Sequence, residues 1–207
     1  MSTSTERAVH WDDAYVNRGT DGVSWFQTEP TLSLELIETL GVAPDTACLD
    51  VGGGASMLVD RLVDSGFSDL AVLDVSNVAL DASRQRLGPS APVAWLHEDI
   101  LEWRPSRQFG LWHDRAVFHF LTDNDERAAY LKALRSGLKV GGAIIMATFA
   151  EDGPEYCSGL PVNRYSIDEL ASTLGGDFTV VKSLKEEHIT PSGAIQSFSW
   201  VAGRLGG

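Results

Sequence analysis

The sequence predicts an α/β domain in which helices cover both faces of a mostly parallel sheet. Strand-like apolar runs alternate with helix-like runs through most of the chain, which is typical of such folds. A glycine-rich turn follows the first strand, and a short Pro/Gly turn joins the last two strands. With 207 residues, 43% of them hydrophobic, the chain is long enough for one sizeable core and short for two. We therefore predict a single domain over residues 1–207.

The first half of the chain holds the opening helices and strands. Residues 1–9 are polar, and we expect them to be frayed. After Pro30 an amphipathic helix follows, and Gly41 marks its end. Two strands come next, each followed by a helix. In order, these segments read TLSLELIETLG, TACLDV, SMLVDRLVDSG, DLAVLDV and NVALDASRQRLG.

The second half predicts three more strands and then a C-terminal hairpin. The runs PVAWLHEDI and FGLWHDRAVF each contain a short strand, and the strand KVGGAIIMATF follows the helix DNDERAAYLKALRSGL. Another helix begins at Ser166, which has capping-box spacing to Glu169. The strands DFTVVKSLKEEHI and AIQSFSWVAGR are separated by the turn TPSG, and this pattern predicts an antiparallel hairpin.

The composition limits the partners and the compartment that we expect. The chain has 29 acidic and 16 basic residues, a formal net charge of −13, so its surface repels nucleic-acid phosphates and anionic membranes. No apolar run approaches the ~20 residues that span a bilayer, and the N-terminus has no apolar signal-peptide core. Cys48 and Cys157 are too few for a disulfide framework, and no zinc-site spacing is present. We therefore expect a cytoplasmic protein with no nucleic-acid, membrane or metal partner.

The stretch LDVGGGASM, residues 49–57, is the leading candidate for a ligand site. In open α/β sheets, ligands bind beyond the carboxyl ends of the strands, where this turn is expected. A phosphate-binding loop would need a lysine after its last glycine, and none is present there. The third glycine of a dinucleotide motif would fall at Met57. Asp50, just before the turn, is poorly suited to a pyrophosphate and well suited to a ligand with positive charge.

This turn resembles the first motif of the class I S-adenosylmethionine-dependent methyltransferases, an acid followed by alternating glycines. Their cofactor carries a sulfonium and an ammonium group and no phosphate, which agrees with an acid at the strand end. The resemblance implies that Asp50, Gly52 and Gly54 bind S-adenosylmethionine. Ser56 replaces the last glycine that is usual in the family, while the first two glycines provide the close approach to the cofactor.

Acidic residues also close the next two predicted strands. Asp74 follows Asp50 by 24 residues, near the spacing of an acid that binds ribose hydroxyls in nucleotide-binding folds. The resemblance implies that Asp74 binds both ribose hydroxyls, that Asp99 accepts from the adenine amino group, and that Ile100 packs on the ring. The alternative is that both acids only form turns or cap helices. Two further residues complete the predicted cofactor site, Val75 and His113.

The resemblance extends from Trp11 to the final hairpin. It implies a Rossmann-like, doubly wound sheet of seven strands in the order 3-2-1-4-5-7-6, with helices on both faces. Strand 7 is expected to be antiparallel, which agrees with the hairpin predicted from the C-terminal residues.

The segment LWHDRAVFHFL places four polar side chains at the end of the fourth strand. Asp114, Arg115 and His119 are the predicted catalytic residues, because charged residues in an apolar run are costly to bury without a purpose. The alternative is a structural Asp114–Arg115 pair with His119 in the core. His119 is the best general-base candidate. If the acceptor is a thiol, little base catalysis is needed, and Arg115 and His119 would bind an anion.

Two further segments are predicted to enclose the site. Residues 10–40 begin with a cluster of aromatic residues that either packs as a structural cap or forms a lid over the cofactor. We expect the lid, with Trp11 and Trp25 in contact with the cofactor. The long loop after the fifth strand is expected to form the substrate wall, with the candidate contacts Cys157, Arg164 and Tyr165, although Cys157 also suits simple packing.

Together these observations predict an S-adenosylmethionine-dependent methyltransferase that acts on a small molecule, and whose product is S-adenosylhomocysteine. The HDR stretch, residues 113–115, resembles small-molecule thiol methyltransferases and one group of protein-lysine methyltransferases. A thiol acceptor is therefore the first expectation and a protein lysine the second. A non-catalytic cofactor-binding regulator is the third, and Met57 disfavours a nicotinamide oxidoreductase.

Overall fold

The computed structural model describes residues 3–207. Helices and strands alternate through the first three quarters of this part of the chain, and a long hairpin closes it. The helices are α1 (Ser4–Arg18), α2 (Thr31–Thr39), α3 (Leu58–Asp64), α4 (Asn77–Leu87), α5 (Asn124–Gly137) and α6 (Ile167–Leu174). The strands are β1 (Cys48–Val51), β2 (Leu70–Asp74), β3 (Val93–His97), β4 (Phe109–Arg115), β5 (Leu138–Phe149), β6 (Tyr156–Cys157), β7 (Leu160–Pro161), β8 (Phe178–Ile189) and β9 (Ile195–Leu205).

Seven of these strands form one sheet in the order β3-β2-β1-β4-β5-β9-β8. The first five are parallel to their neighbours, and β9 is antiparallel to both β5 and β8. Strands β6 and β7 form a separate two-stranded hairpin in the loop after β5. Counted within the sheet alone, the order is 3-2-1-4-5-7-6 with an antiparallel seventh strand. The predicted fold class is confirmed.

The core lies on both faces of this sheet because successive strand residues point to opposite sides. From β1, Leu49 and Val51 pack with residues of α5 and α6 on one face. Cys48 packs with residues of α2, α3 and α4 on the other face. The central strands are buried on both sides, which explains their continuous apolar sequences.

Helix α1 differs from the prediction that residues 1–9 are frayed. Thr3 accepts a hydrogen bond from the Glu6 backbone N–H, and the Glu6 side chain accepts one from the Thr3 backbone N–H, so the helix begins with a capping box. The prediction was wrong for residues 4–9, while residues 1 and 2 lie outside the described residues. Asp12 joins α1 to the start of α4 by accepting from Ser76 Oγ at 2.6 Å and from Val78 N at 3.1 Å.

The strand order brings the predicted site residues to one edge. Parallel strands β1, β2, β3 and β4 end side by side, and in this register Asp50 pairs with His113 and Asp74 with His97. The glycine turn and the acids of the neighbouring strands therefore meet at the carboxyl edge of the sheet, where α1 crosses them. Within residues 3–207, no helix combines the length and the apolar character needed to cross a membrane.

Candidate active site

The glycine turn after β1 passes through a space that leaves no room for side chains. Gly52 and Gly54 have φ angles of +66° and +37°, which favour glycine. A Cβ atom at Gly52 would collide with Val117, and one at Gly54 would lie 2.7 Å from Asp74 Oδ2. Glycine is therefore required at both positions by packing within the protein.

A cleft of about 800 Å³, its open mouth included, lies between this turn and helix α1. The structure brings seven of the predicted cofactor residues together in its wall: Trp11, Trp25, Gly52, Asp74, Val75, Asp99 and Ile100. It adds two other predicted site residues, Arg115 and Cys157. Residues that sequence reasoning missed include Arg7, Tyr15, Ala116, Val117 and Phe120.

Asp74 lies in the middle of the cleft and is buried. Its Oδ1 accepts from the backbone N–H of Ser76 at 2.8 Å, so the turn role considered as an alternative is also present. Burial raises the pKa of Asp74 to about 7, and the nearby charges of Asp50 and Asp12 act in the same direction. Hydroxyl groups of a ligand in the cleft would donate to the Asp74 carboxylate.

Asp99 is engaged by helix α1. Its Oδ1 accepts from the backbone N–H of Leu101 at 3.0 Å. Its Oδ2 accepts from Arg7 at 2.7 Å (Nε) and 2.6 Å (Nη2). The predicted adenine acceptor is therefore in the cleft but is paired with a residue that sequence reasoning placed in a frayed terminus. The capping box of Thr3 and Glu6 is the signal that could have extended α1 over Arg7.

Asp50 and His113 lie in an adjoining hollow and not in the main cleft. His113 Nδ1 is 2.7 Å from Asp50 Oδ1, and its Nε2 is 2.9 Å from Ser33 Oγ, with all three residues buried. The second oxygen of Asp50, Oδ2, has no hydrogen-bond partner among the described residues, and it lies beside Gly53. Gly54, which also does not line the main cleft, packs against Asp74, Ala79 and Tyr15.

The predicted catalytic role of Asp114 is corrected by its surroundings. The side chain is fully buried and does not line the cleft. Oδ1 accepts from the backbone N–H of Val117 at 2.9 Å, and Oδ2 accepts from the Tyr130 hydroxyl at 2.5 Å. Tyr130 in turn accepts from Trp112 Nε1 at 2.9 Å. Asp114 therefore fastens the turn after β4 to helix α5, and burial raises its pKa to about 6.

The turn after β4, which contains Ala116 and Val117, forms one wall of the cleft. Ala116 has a φ angle of +74°, a strained conformation for a residue with a side chain. Its backbone N–H donates to Ala147 O at 2.9 Å, and the Asp114 bond to Val117 holds the next residue. Strained residues of this kind persist where the surroundings enforce them, and here the result is a fixed wall of backbone and small side chains.

The expectation that His119 is a general base is not supported by its contacts. His119 Nδ1 accepts from the backbone N–H of Phe149 at 3.1 Å, so the proton of the neutral ring lies on Nε2. The ring is buried between Phe120 and Phe149, with centroid distances of 4.5 and 4.6 Å, and does not line the cleft. Burial, together with the charge of Arg115, lowers the pKa of His119 to about 3. It has no free basic nitrogen to offer.

Arg115 lines both the main cleft and the adjoining hollow. Its Nη1 donates to the carbonyl oxygen of Trp25 at 2.8 Å, and the guanidinium lies 4.6 Å from the centre of the Phe198 ring. Its Nε and Nη2 are buried and have no hydrogen-bond partner among the described residues. The Asp114–Arg115 pair of the alternative interpretation is not formed among the described residues, because Asp114 bonds to Val117 and Tyr130. Burial lowers the pKa of Arg115 to about 10, so it is protonated at neutral pH.

The loop after β5 contributes one of its three predicted substrate contacts. Cys157 is buried in the cleft wall, and burial raises the pKa of its thiol to about 11. Arg164 turns back onto its own loop, where it donates to Gly153 O and pairs with Glu155. Tyr165 packs against Phe118 in the core. Arg164 and Tyr165 therefore lie outside the cleft.

Aromatic rings cover the cleft on the side of α1. Trp11 contacts Trp25 and Phe120 edge to face, at centroid distances of 5.6 and 4.9 Å. Tyr15 contacts Trp25 in the same way at 6.1 Å. These rings present an apolar, electron-rich surface to the space above the glycine turn, of the kind that attracts cationic ligands.

Comparison with known proteins agrees with this site. A sequence model described as "Methyltransferase domain" matches residues 48–142. An eEF1A lysine and N-terminal methyltransferase of Mus musculus is 27% identical over 154 residues, which cover 70% of this chain and 22% of the relative. The chain thus spans about a fifth of that relative's length. Over the residues that the sequence model matches, the chain is similar to the methyltransferase family.

Two solved structures of similar fold have low sequence identity to this chain. One comes from work on the conversion of a disulfide bond into a thioacetal group during echinomycin biosynthesis; it has a TM-score of 0.76, 16% identity, and coverage of 96% of this chain and 91% of that one. The other is the 1,6-didemethyltoxoflavin-N1-methyltransferase of Burkholderia thailandensis with bound 1,6-didemethyltoxoflavin and S-adenosylhomocysteine, with a TM-score of 0.69, 17% identity, and coverage of 100% and 92%. They show that the described chain shares the fold of these two proteins.

The cleft residues fit the cofactor of this family. Asp74 is a buried carboxylate in the cleft wall, and the ribose of S-adenosylmethionine has two hydroxyl groups that could donate to it. Gly52 brings the backbone of the turn into the cleft wall. The aromatic cover from Trp11 and Trp25 suits a sulfonium. The buried acids at this edge match a cation better than they match a phosphate.

Proposed function

We propose that this chain transfers the methyl group of S-adenosylmethionine to a small-molecule acceptor, with a thiol as the first candidate. The observation that carries the proposal is the cleft itself. Its wall combines Gly52, Asp74 and Asp99 with Arg115, Cys157 and apolar side chains. A mostly apolar cleft with a few polar groups suits a small acceptor.

Each wall has a distinct task in this proposal. Asp74 accepts the ribose hydroxyls, Asp99 accepts the adenine amino group, and Ile100 packs on the ring. When bound, the cofactor supplies a methyl group activated by its sulfonium. Trp11 and Trp25 exclude water and stabilise the positive charge, so that the acceptor and the methyl group meet in a dry space.

The choice of a thiol follows from which side chains of the cleft wall could act as a general base. Among the described residues that line the cleft, none is a histidine or a lysine. Its acids are Asp74, Asp99 and the exposed rim residue Glu98. An acceptor that ionises by itself near neutral pH needs no general base, and a thiol does so more readily than an alcohol. Positioning then provides the main rate enhancement.

A protein lysine is the second candidate, because the Mus musculus relative carries that activity in its name. Purified protein is to be incubated with S-adenosylmethionine and, separately, with thiols, amines, phenols and fractionated lysate proteins. Release of S-adenosylhomocysteine is measured in each case. We expect turnover with small thiols. Turnover confined to the protein fractions would contradict the small-molecule acceptor and favour the lysine.

Cofactor binding is tested separately by calorimetry. S-adenosylhomocysteine should bind, and NAD should not. Asp74→Ala should weaken this binding at least tenfold because it removes a charged hydrogen-bond acceptor. Asp81→Ala, which changes an exposed acid on α4, is the matched control. Tight NAD binding, or an unchanged affinity in Asp74→Ala, would overturn the assignment, and binding without turnover of any acceptor would favour a regulator.

A further inference from the structure

Arg115 has a charge that the described residues do not neutralise directly. No carboxylate within residues 3–207 lies within ion-pairing distance of its guanidinium. Glu186 is the acid whose charge acts on it most strongly. Both Glu186 oxygens are engaged elsewhere, since Oε1 accepts from Gln27 Nε2 at 3.1 Å and Oε2 from Trp200 Nε1 at 2.8 Å. The guanidinium is therefore held by one backbone carbonyl and one aromatic ring.

Such an arrangement is costly unless a further partner completes it. A buried cation loses its hydration, and each buried N–H without an acceptor adds to that loss. Nε and Nη2 are the two atoms left without partners, and they form one edge of the planar guanidinium. A carboxylate has two oxygens at the spacing that this edge can bind in a bidentate manner. The geometry of the unsatisfied donors thus matches a planar anion.

The other cation in the cleft wall, Arg7, already binds a carboxylate of the protein. Arg7 is the second arginine of the wall, and its Nε and Nη2 bind Asp99. Neither His119 nor Cys157 is a second anion-binding group at neutral pH, since His119 is an uncharged core residue and the Cys157 thiol is protonated. In a protein with a formal net charge of −13, Arg115 is thus the point in the cleft that favours a negative ligand.

We propose that Arg115 binds a carboxylate of the methyl acceptor through Nε and Nη2, so that the acceptor is an acidic small molecule. This inference rests on the proposed function, because it assigns the substrate class for the same cleft. The anion neutralises the guanidinium beside the cationic cofactor. Trp25, whose carbonyl binds Nη1, lies in the irregular segment between α1 and α2.

The test compares two acceptors of nearly equal size, 3-mercaptopropionate and 3-mercaptopropanamide. For the wild-type protein we expect KM for the acid to be at least tenfold below that for the amide. Arg115→Met should remove this preference by raising KM for the acid alone. Arg115→Lys should retain part of it, because the charge stays and the bidentate geometry is lost. Arg107→Met is the control, because Arg107 lies just before the first residue of β4, whereas Arg115 is its last residue.

Cofactor affinity separates this site from a site for the cofactor's own carboxylate. Calorimetry should give S-adenosylhomocysteine affinities within about twofold for wild type and Arg115→Met. A tenfold loss of that affinity, with acid and amide still distinguished in turnover, would show that Arg115 serves the cofactor and would overturn the proposal. Equal KM values for acid and amide in the wild-type protein would overturn it as well, even if Arg115→Met failed to fold.

A binding measurement distinguishes failure of this inference from failure of the proposed function. The protein is loaded with S-adenosylhomocysteine, and tryptophan fluorescence is followed as each thiol is added, since Trp11 and Trp25 line the cleft. If neither thiol is methylated but the acid alone binds, and Arg115→Lys weakens it, the thiol methyltransfer fails while the anion site stands. Equal binding of acid and amide would reject the anion site whatever the turnover.

Discussion

At the scale of single residues, Asp74 is the side chain whose state controls the site most directly. It is buried, its pKa is raised to about 7 by loss of hydration, and it faces Asp50 on β1 and Asp12 and Tyr15 on α1. A carboxyl group with a raised pKa holds its proton below that value and is a carboxylate only above it. Ribose hydroxyls donate best to the carboxylate, so cofactor binding favours the deprotonated form.

We predict that affinity for S-adenosylhomocysteine falls about tenfold between pH 8 and pH 6. With a pKa of about 7 in the free protein, most molecules must lose a proton to bind at pH 6, and few must do so at pH 8. Calorimetry at several pH values measures the change. Asp74→Asn is the control and should bind more weakly with a flat profile. If affinity depends on pH equally in the wild-type protein and in Asp74→Asn, a group other than Asp74 loses the proton on binding.

His119 provides a second prediction at this scale. His119→Leu leaves the buried Phe149 N–H without its acceptor, so the free energy of unfolding should fall by about 1–3 kcal/mol. His119→Asn retains an acceptor and should lose less. Urea denaturation measures both values. Turnover at pH 8, with the protein folded, should stay within about threefold of wild type. A hundredfold loss of turnover in both variants with unchanged stability would instead support His119 as a general base.

At the scale of elements, α1 is the helix that completes the cleft. Its capping box fixes where it begins, Asp12 attaches it to α4, and Arg7 attaches it to the end of β3 through Asp99. The Arg7 and Asp99 side chains are 20% and 4% exposed, so the pair is largely shielded from water. In this closed arrangement Arg7 and the adenine amino group would compete for the same carboxylate.

We therefore predict that Arg7→Gln speeds cofactor association. The wild-type protein must release Asp99 from Arg7 before adenine can bind it, and the variant has no charged pair to break. An ion pair of this kind accounts for about 1 kcal/mol, so a three- to tenfold increase in the association rate is expected. Stopped-flow fluorescence of the cleft tryptophans measures it. Arg84→Gln, on the exposed face of α4, is the control, and unchanged or slower association in Arg7→Gln would contradict the competition.

At the scale of the whole molecule, the sequence predicted the sheet and the positions of Asp74 and Asp99 at its edge well. Asp74 and Asp99 end neighbouring parallel strands or follow them directly, so their meeting at one edge follows from chain order alone. Asp114 and His119 were harder, because a polar residue in an apolar run suits either a site or an internal hydrogen bond. Their partners, Tyr130 and Phe149, lie 16 and 30 residues further along, beyond the reach of local pattern.

The same limit applies to the segments that surround the site. Arg164 and Tyr165 follow the small β6–β7 hairpin, and the backbone N–H of Tyr165 donates to Phe149 O at 2.9 Å, which directs the side chain into the core. No pattern in the loop sequence specifies that return. Arg115 was singled out for its charge, but its lack of a carboxylate partner could be seen only once Glu186 and Trp25 were in place.

The position of β9 has a consequence for how the chain must be made. This strand lies between β5 and β8, although β8 comes before it in the sequence. A ribosome therefore releases β8 before the strand that can join it to the sheet exists. Until residues 195–205 emerge, β5 and β8 both present unpaired backbone groups, and such edges recruit other chains. Nascent chains that stop before Ile195 are consequently expected to be substrates for chaperones and proteases.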